Sequence, residues 1–178
     1  MSGDRTSSVC YAAEADDVYM GYAPRDEILA VLNELLEAER AGARVALASI
    51  ADATGPDHAA MMRAVRADEA RWCAMLSRQI RRLGGVPSRE CGAFHDKAMA
   101  IVDPVARLAF LNRGQAWVVR KLTEMMRRVR DDALHADLRR MAESHEVNIA
   151  AAASFLDGAH PEENPKGSAA EETRRKPA

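Results

Sequence analysis

The residues best placed to do chemistry are those that interrupt apolar stripes. Leu134, Leu138, Met141, His145, Ile149, Ala152 and Leu156 follow one another at steps of three or four. That spacing is one face of an α-helix, and His145 stands at its centre. Glu39 interrupts a second stripe formed by Ile28, Leu32, Leu35, Leu36, Gly42, Ala43, Ala46 and Ile50. Glu69 lies on a third, between Val65 and Trp72, and Asn112 and Gln115 break a fourth formed by Val105, Leu108, Val119, Leu122, Met126 and Val129. Two carboxylates and one imidazole are a competent donor set for Fe(II), Mn(II) or Zn(II). Carboxylates in an apolar bundle are costly unless paired or metal-bound. The same residues admit a second reading, a buried hydrogen-bonded network. There His145 is a cation between Glu39 and Glu69, and Asn112 and Gln115 fill the remaining lone pairs.

Four long segments must bring these groups together. Pro24, Asp26 and Glu27 open the first helix, with acids near the positive end of its dipole, and the pattern runs to about residue 53. Thr54, Gly55, Pro56 and Asp57 form a short break, so the second helix is an antiparallel neighbour of the first. It runs to about Leu83, where Gly84, Gly85 and Pro87 stop it. A connection of roughly twenty residues follows, long for an unstructured loop, and its middle around 93–101 could form a short helix. Asp103 and Pro104 start the third helix, which reaches about Arg130, and Asp131 and Asp132 start the fourth, which ends near Asp157 and Gly158. Two antiparallel hairpins joined by a long crossover predict an all-α four-helix bundle. The expected organisation is a mobile segment over 1–23, the bundle over 24–158, and a disordered tail over 159–178.

Composition agrees with a helical reading. Aromatic residues make up only 4% of the chain, and the formal net charge is −2. No basic field for nucleic acid is indicated. No segment approaches the roughly 20 apolar residues of a membrane span, and no secretory signal pattern opens the chain. Cys10, Cys73 and Cys91 are scattered and odd in number, which points to a reducing, cytoplasmic compartment. Cys73 has no identifiable base beside it and makes a poor nucleophile candidate. His58, His95, His135 and His160 are expected at the surface.

Two stretches carry a resemblance to a known family. Leu32-Asn33-Glu34-Leu35-Leu36-Glu37-Ala38-Glu39 resembles the first-helix motif of bacterioferritins, which ends in a metal-ligand glutamate. Asp68-Glu69-Ala70-Arg71-Trp72, with its distance to Leu83-Gly84-Gly85-Val86-Pro87, resembles the second helix of that family. The chain is thus similar to the ferritin-like superfamily, its bacterioferritin and rubrerythrin branch in particular, over about residues 25–157. The resemblance implies metal-ligand roles for Glu39 and Glu69. It also shows departures. Trp72 stands where the family has histidine, and Asn112 or Gln115 occupies the third helix's glutamate position. On the fourth helix, His145 matches either the family histidine, with Ala142 in place of the glutamate, or the glutamate, with Asn148 in place of the histidine. Neither alignment gives a full di-iron set, and the affiliation suggested is a ferritin-like branch of unassigned function.

The function expected first is therefore a metal-binding, redox-active ferritin-like protein with a reduced, mononuclear site. Glu39, Glu69 and His145 are the expected ligands, with Asn112 as an auxiliary ligand or a group behind them. Trp72, Gln115 and Asn148 are expected to wall the pocket. Iron or manganese is the expected metal, zinc is not excluded, and no organic cofactor is indicated. If the chain is an enzyme, it is a metal-dependent oxidoreductase acting on a small molecule that these residues leave open. The alternative is a non-catalytic bundle that has lost its metals and serves as a dimerisation or partner-binding module. Its support is the incomplete ligand set together with Trp117, read as pointing away from the core among Arg113, Arg120 and Lys121. A homo-oligomer, with a dimer favoured, is expected under either reading.

Overall fold

The computed structural model describes residues 20–159, and these residues form five helices without strands. The long helices are α1 (Arg25–Ser49), α2 (Pro56–Arg82), α4 (Pro104–Met126) and α5 (Asp132–Ala159), and α3 (Phe94–Met99) is short. The expectations for residues 1–19 and 160–178, including Cys10 and His160, fall outside the described residues.

Local chemistry fixes most helix ends. Pro56 occupies the first turn of α2, where its missing N–H costs nothing. The Asp103 side chain accepts from the backbone N–H groups of Val105 and Ala106, capping α4. Asp131 does the same for α5 by accepting from Leu134 N at 2.7 Å. At the end of α2, Gly84 N donates to Arg81 O at 2.9 Å and Gly85 N to Ile80 O at 2.8 Å. Gly84 has φ +72°, so this is a Schellman stop that a side-chain-bearing residue would strain.

Two helices end earlier than the sequence suggests. α1 stops at Ser49 rather than near Ala53, and α4 at Met126 rather than near Arg130. In each case tertiary partners claim the last residues. Asp52 turns toward Arg107 of α4, 2.9 Å from its guanidinium. Val129 is buried in the core, and Arg128 O accepts from Ala23 N.

The helices pair as α1 with α2 and α4 with α5, with α1 also against α4 and α2 against α5. α3, in the crossover, packs on α1 and α4. The apolar interior falls into two clusters. One joins Leu32, Leu35 and Leu36 of α1 to Trp72, Leu76 and Ile80 of α2, Leu122 of α4, and Leu134 and Leu138 of α5. The other joins Val45 and Ala46 to Met62, Val65, Leu108, Leu111 and Ala152. The C-terminal part of α1 thus meets the N-terminal part of α4, so α1 and α4 run antiparallel, as do α2 and α5. The crossover makes this possible, because it carries the chain back along the length of the bundle before α4 begins.

The buried face of α4 differs from the expected stripe. Leu108, Leu111, Gln115, Val118, Leu122 and Met125 are buried, whereas Val119 and Met126 are half-buried. The inward direction is rotated by roughly 60° at 100° per residue. Asn112 consequently lies at the edge of the face. Trp117 is half-buried against the core, with Lys121 Nζ 5.4 Å from its ring centroid. The expectation that Trp117 points directly outward is corrected by this rotation.

Candidate metal centre

A polar layer separates the two apolar clusters. α1 contributes Glu39, between Leu36 and Val45; α2 contributes Glu69, between Val65 and Trp72; α4 contributes Gln115; and α5 contributes His145. Each helix delivers one of these residues because each carries one polar residue at mid-length on its core face. Glu39 and His145 are 0% exposed and Glu69 is 3% exposed. One ligand atom from each of the three lies within 4.8 Å of the others.

Close approach of α1 and α2 depends on Gly42. A Cβ built there would lie 2.7 Å from the Glu69 carboxyl carbon and 2.7 Å and 2.8 Å from its oxygens. The carboxyl of Glu69 therefore occupies the space that a side chain at position 42 would take.

The three groups meet without satisfying one another. His145 Nε2 lies 3.2 Å from Glu39 Oε1. With the carboxyls ionised, both Glu39 oxygens and both His145 nitrogens lack a properly oriented hydrogen-bond partner, and only a proton on one glutamate lets Glu39 and Glu69 bond to each other. Glu69 Oε1 receives one long hydrogen bond, from Gln115 Nε2 at 3.4 Å. Buried polar groups are normally paired, so four orphaned atoms in one cluster are unusual.

Burial also controls protonation. It pushes the Glu39 carboxyl up to about 8, opposed by interaction with Glu69 and reinforced by Asp68. It raises Glu69 well above the usual carboxylate range, with Glu39 adding to the rise and His145 opposing it. It lowers His145, against the pull of Glu69 and Asp68. Burial thus favours the neutral form of each of the three groups.

Of the other residues singled out by sequence, Gln115 is buried beside Glu69. Trp72 is buried in the apolar cluster, with an unpartnered Nε1 and the Arg71 guanidinium 4.3 Å from its ring centroid. Asn112 is half-buried and donates to Ile149 O at 3.4 Å, while its Oδ1 has no partner. Asn148 is half-buried and donates to Asp68 Oδ2 at 3.0 Å. Glu143 and Glu146 are exposed.

Sequence reasoning missed Asp68. It also accepts from Ser144 and Arg71, and so ties α2 to α5 beside the cluster. The available signal was adjacency: Asp68 precedes Glu69, and Ser144 precedes His145. It missed Arg107 and Asp137 as well. Arg107 is buried and donates to Asp52 and to the carbonyls of Ile101 and Val102. Asp137 is buried, accepting from Gln79 and Arg140. His58, expected at the surface, is 1% exposed. The end of α5 covers it, with the Phe155 ring centroid 5.1 Å away. Its Nδ1 faces Thr54 Oγ1 at 3.3 Å, and burial and then Arg107 lower its pKa.

A cavity of about 590 Å³ leads from the surface to this layer, between α1 and α4 and beside α3. Gly42, Glu69 and Gln115 form its inner end; Phe94, Phe110 and Trp117 are among its walls; Glu34, Lys97 and Arg113 are among its exposed lining residues. Gly114 makes room for α3, since a Cβ there would lie 2.6 Å from the Phe94 ring.

This architecture has a counterpart among solved structures. A ferritin-like, diiron-carboxylate protein from Bacillus anthracis str. Ames matches with a TM-score of 0.56 at 16% identity, over 77% of this chain and 95% of that one. The fold is therefore ferritin-like, as the motifs implied. No described helix is long and apolar enough to cross a membrane. A search of curated proteins gives no match. Residues 26–154 match a family described as a domain of unknown function (DUF6306), and the chain belongs to that family.

Proposed function

We propose that the polar layer is a mononuclear divalent-metal site, with Glu39, Glu69 and His145 as ligands, in a redox-active ferritin-like protein. The observation that carries this reading is the set of unpartnered atoms on Glu39 and His145, buried within 4.8 Å of Glu69. A divalent ion supplies what they lack. The charges also balance: two carboxyl protons leave as one doubly charged ion enters, so the interior gains no net charge. The donor set fits one ion. Trp72 and Gln115 stand where the resemblance calls for a histidine and a glutamate, and a full di-iron set is not met. Iron or manganese suits two carboxylates and one imidazole, and the solved ferritin-like neighbour is described as a diiron-carboxylate protein. When bound, the metal, held by Glu39, Glu69 and His145, would supply one-electron redox chemistry.

A hydrogen-bonded network without metal is favoured less, because such a network satisfies its members. A partner-binding role that uses Trp117 loses support from the half-buried position of that ring.

Elemental analysis tests the proposal. Untagged protein is purified after growth with iron, manganese and zinc, beside Glu69→Ala and His145→Ala. Near-stoichiometric metal in the parent, lost from both folded variants, is the expected result. A metal-free parent that takes up no Fe(II) anaerobically would refute it.

A further inference from the structure

The cavity has a polarity that the metal site does not explain. Its volume, about 590 Å³, falls within the range of small-molecule pockets, roughly 300–1,000 Å³. Its walls are largely apolar, with Phe94, Phe110 and Trp117 presenting three aromatic side chains. Of the two carboxylates in the outer lining, Glu34 is neutralised by an ion pair, whereas Glu37 is held by a hydroxyl and keeps its charge, so two unpaired cations face one unpaired carboxylate. Glu34 pairs with Lys121 at 3.1 Å, and Glu37 accepts from Ser88 Oγ at 2.6 Å. Lys97 and Arg113 also line the cavity and are exposed, and among the described residues neither has a carboxylate partner. Arg113 has only the Phe110 ring, 5.5 Å from its guanidinium carbon. A largely apolar cavity with two unpaired cations in its exposed lining is complementary to a molecule with an apolar body and an anionic end.

We propose that this cavity binds a small apolar monocarboxylic acid. Its carboxylate sits at Lys97 and Arg113, its body lies along Phe94, Phe110 and Trp117, and its far end reaches Glu69. This names the ligand class of the site proposed above. It rests on that reading for what happens at Glu69, but binding itself needs no metal. The dual recognition is also selective. A neutral molecule of the same shape forgoes the cationic end, and a small inorganic anion forgoes the walls.

The test uses decanoate and decan-1-ol as matched probes, titrated into metal-free full-length protein by calorimetry and followed by tryptophan fluorescence. Decanoate is expected to bind at least about tenfold more tightly than the alcohol, a gap set by electrostatic complementarity at the mouth. The Lys97→Gln, Arg113→Gln double variant alters two exposed side chains. It is expected to bring the two probes within about twofold by weakening decanoate alone. Ala38→Phe, which places a ring in the cavity, is expected to weaken both. Equal binding of the two probes by the parent, an unchanged preference in the double variant, or no saturable binding of decanoate would each overturn the proposal. Metal content is read separately in the same preparations. A parent that binds decanoate but no metal refutes the metal site and leaves the acid pocket standing; the reverse result does the opposite.

Discussion

Replacing Gly42 by alanine separates stability from metal binding more cleanly than removing a ligand. Gly42 lies within α1, and glycine inside a helix costs about 1 kcal/mol relative to alanine. On backbone grounds alone, Gly42→Ala should stabilise the protein. The new methyl would, however, lie 2.7 Å from the Glu69 carboxyl, against ordinary contact at 3.4 Å or more. The carboxyl must withdraw by about 0.7 Å, and it can do so because it ends a flexible side chain. Metal–ligand distances tolerate only about ±0.2 Å. The expected outcome is metal-free protein whose stability lies within about 1 kcal/mol of the parent, with metal affinity reduced by about tenfold or more. Urea unfolding of the metal-free variant gives the first quantity, and competition with a chromophoric chelator gives the second. Undiminished affinity in a folded Gly42→Ala protein would show that Glu69 is not held in the position the ligand role requires.

Three further outcomes follow from the buried groups. Between pH 6.5 and 8 the metal-free protein should lose stability as pH rises. Glu39 and Glu69 have folded-state pKa values above their unfolded ones, so their contribution is complete below about 4.5 and is lost as pH rises toward about 8 and beyond. His145 and His58, whose pKa values are lowered, gain stability as pH rises through about 6.5, so they offset part of the glutamate slope at the lower edge of this window and fall silent toward its upper edge. Each glutamate contributes a slope of up to about 1.4 kcal/mol per pH unit, and urea unfolding of Glu39→Gln should show a shallower dependence; a slope that is flat or rising with pH in the parent contradicts the assignment. Over the same window, metal affinity should rise by up to about a hundredfold per pH unit, because two protons leave for each ion bound; calorimetry in buffers of different ionisation enthalpy counts them, and zero proton release would exclude the exchange. Finally, Arg107→Ala should cost about 2–4 kcal/mol, since it removes a buried, charge-assisted donor and leaves the Ile101 and Val102 carbonyls without it; a change in the urea midpoint corresponding to under about 0.5 kcal/mol would argue that water replaces it.

The sequence was legible wherever local chemistry decides the outcome. The capping aspartates Asp103 and Asp131, the glycine stop at Gly84 and Gly85, and the apolar periodicity located all four long helices. The long crossover implied how they are wound. The three residues now clustered, Glu39, Glu69 and His145, each declared themselves by standing on an apolar face. Their pairing distances, however, were not in the sequence, because a stripe fixes direction from its own axis and not what stands opposite.

Other features depended on how helices rotate and overlap. The buried face of α4 turned away from the simplest stripe, which moved Asn112 to an edge and drew Trp117 halfway in. His58 is buried because the end of α5 lies over the start of α2, two segments nearly a hundred residues apart. Asn148 joins Asp68 because the flanks of α2 and α5 meet there. The space beside Glu69 required α3 to seat Phe94 against Gly114. Sequence alone marked Glu39, Glu69, Gln115 and His145 as core-facing, because periodicity is a property of one helix, but not His58, Arg107 or Asp137, whose burial comes from neighbouring elements. Tertiary structure decided which of them meet, which are left unpartnered and what can reach them, because those are properties of packed pairs of helices.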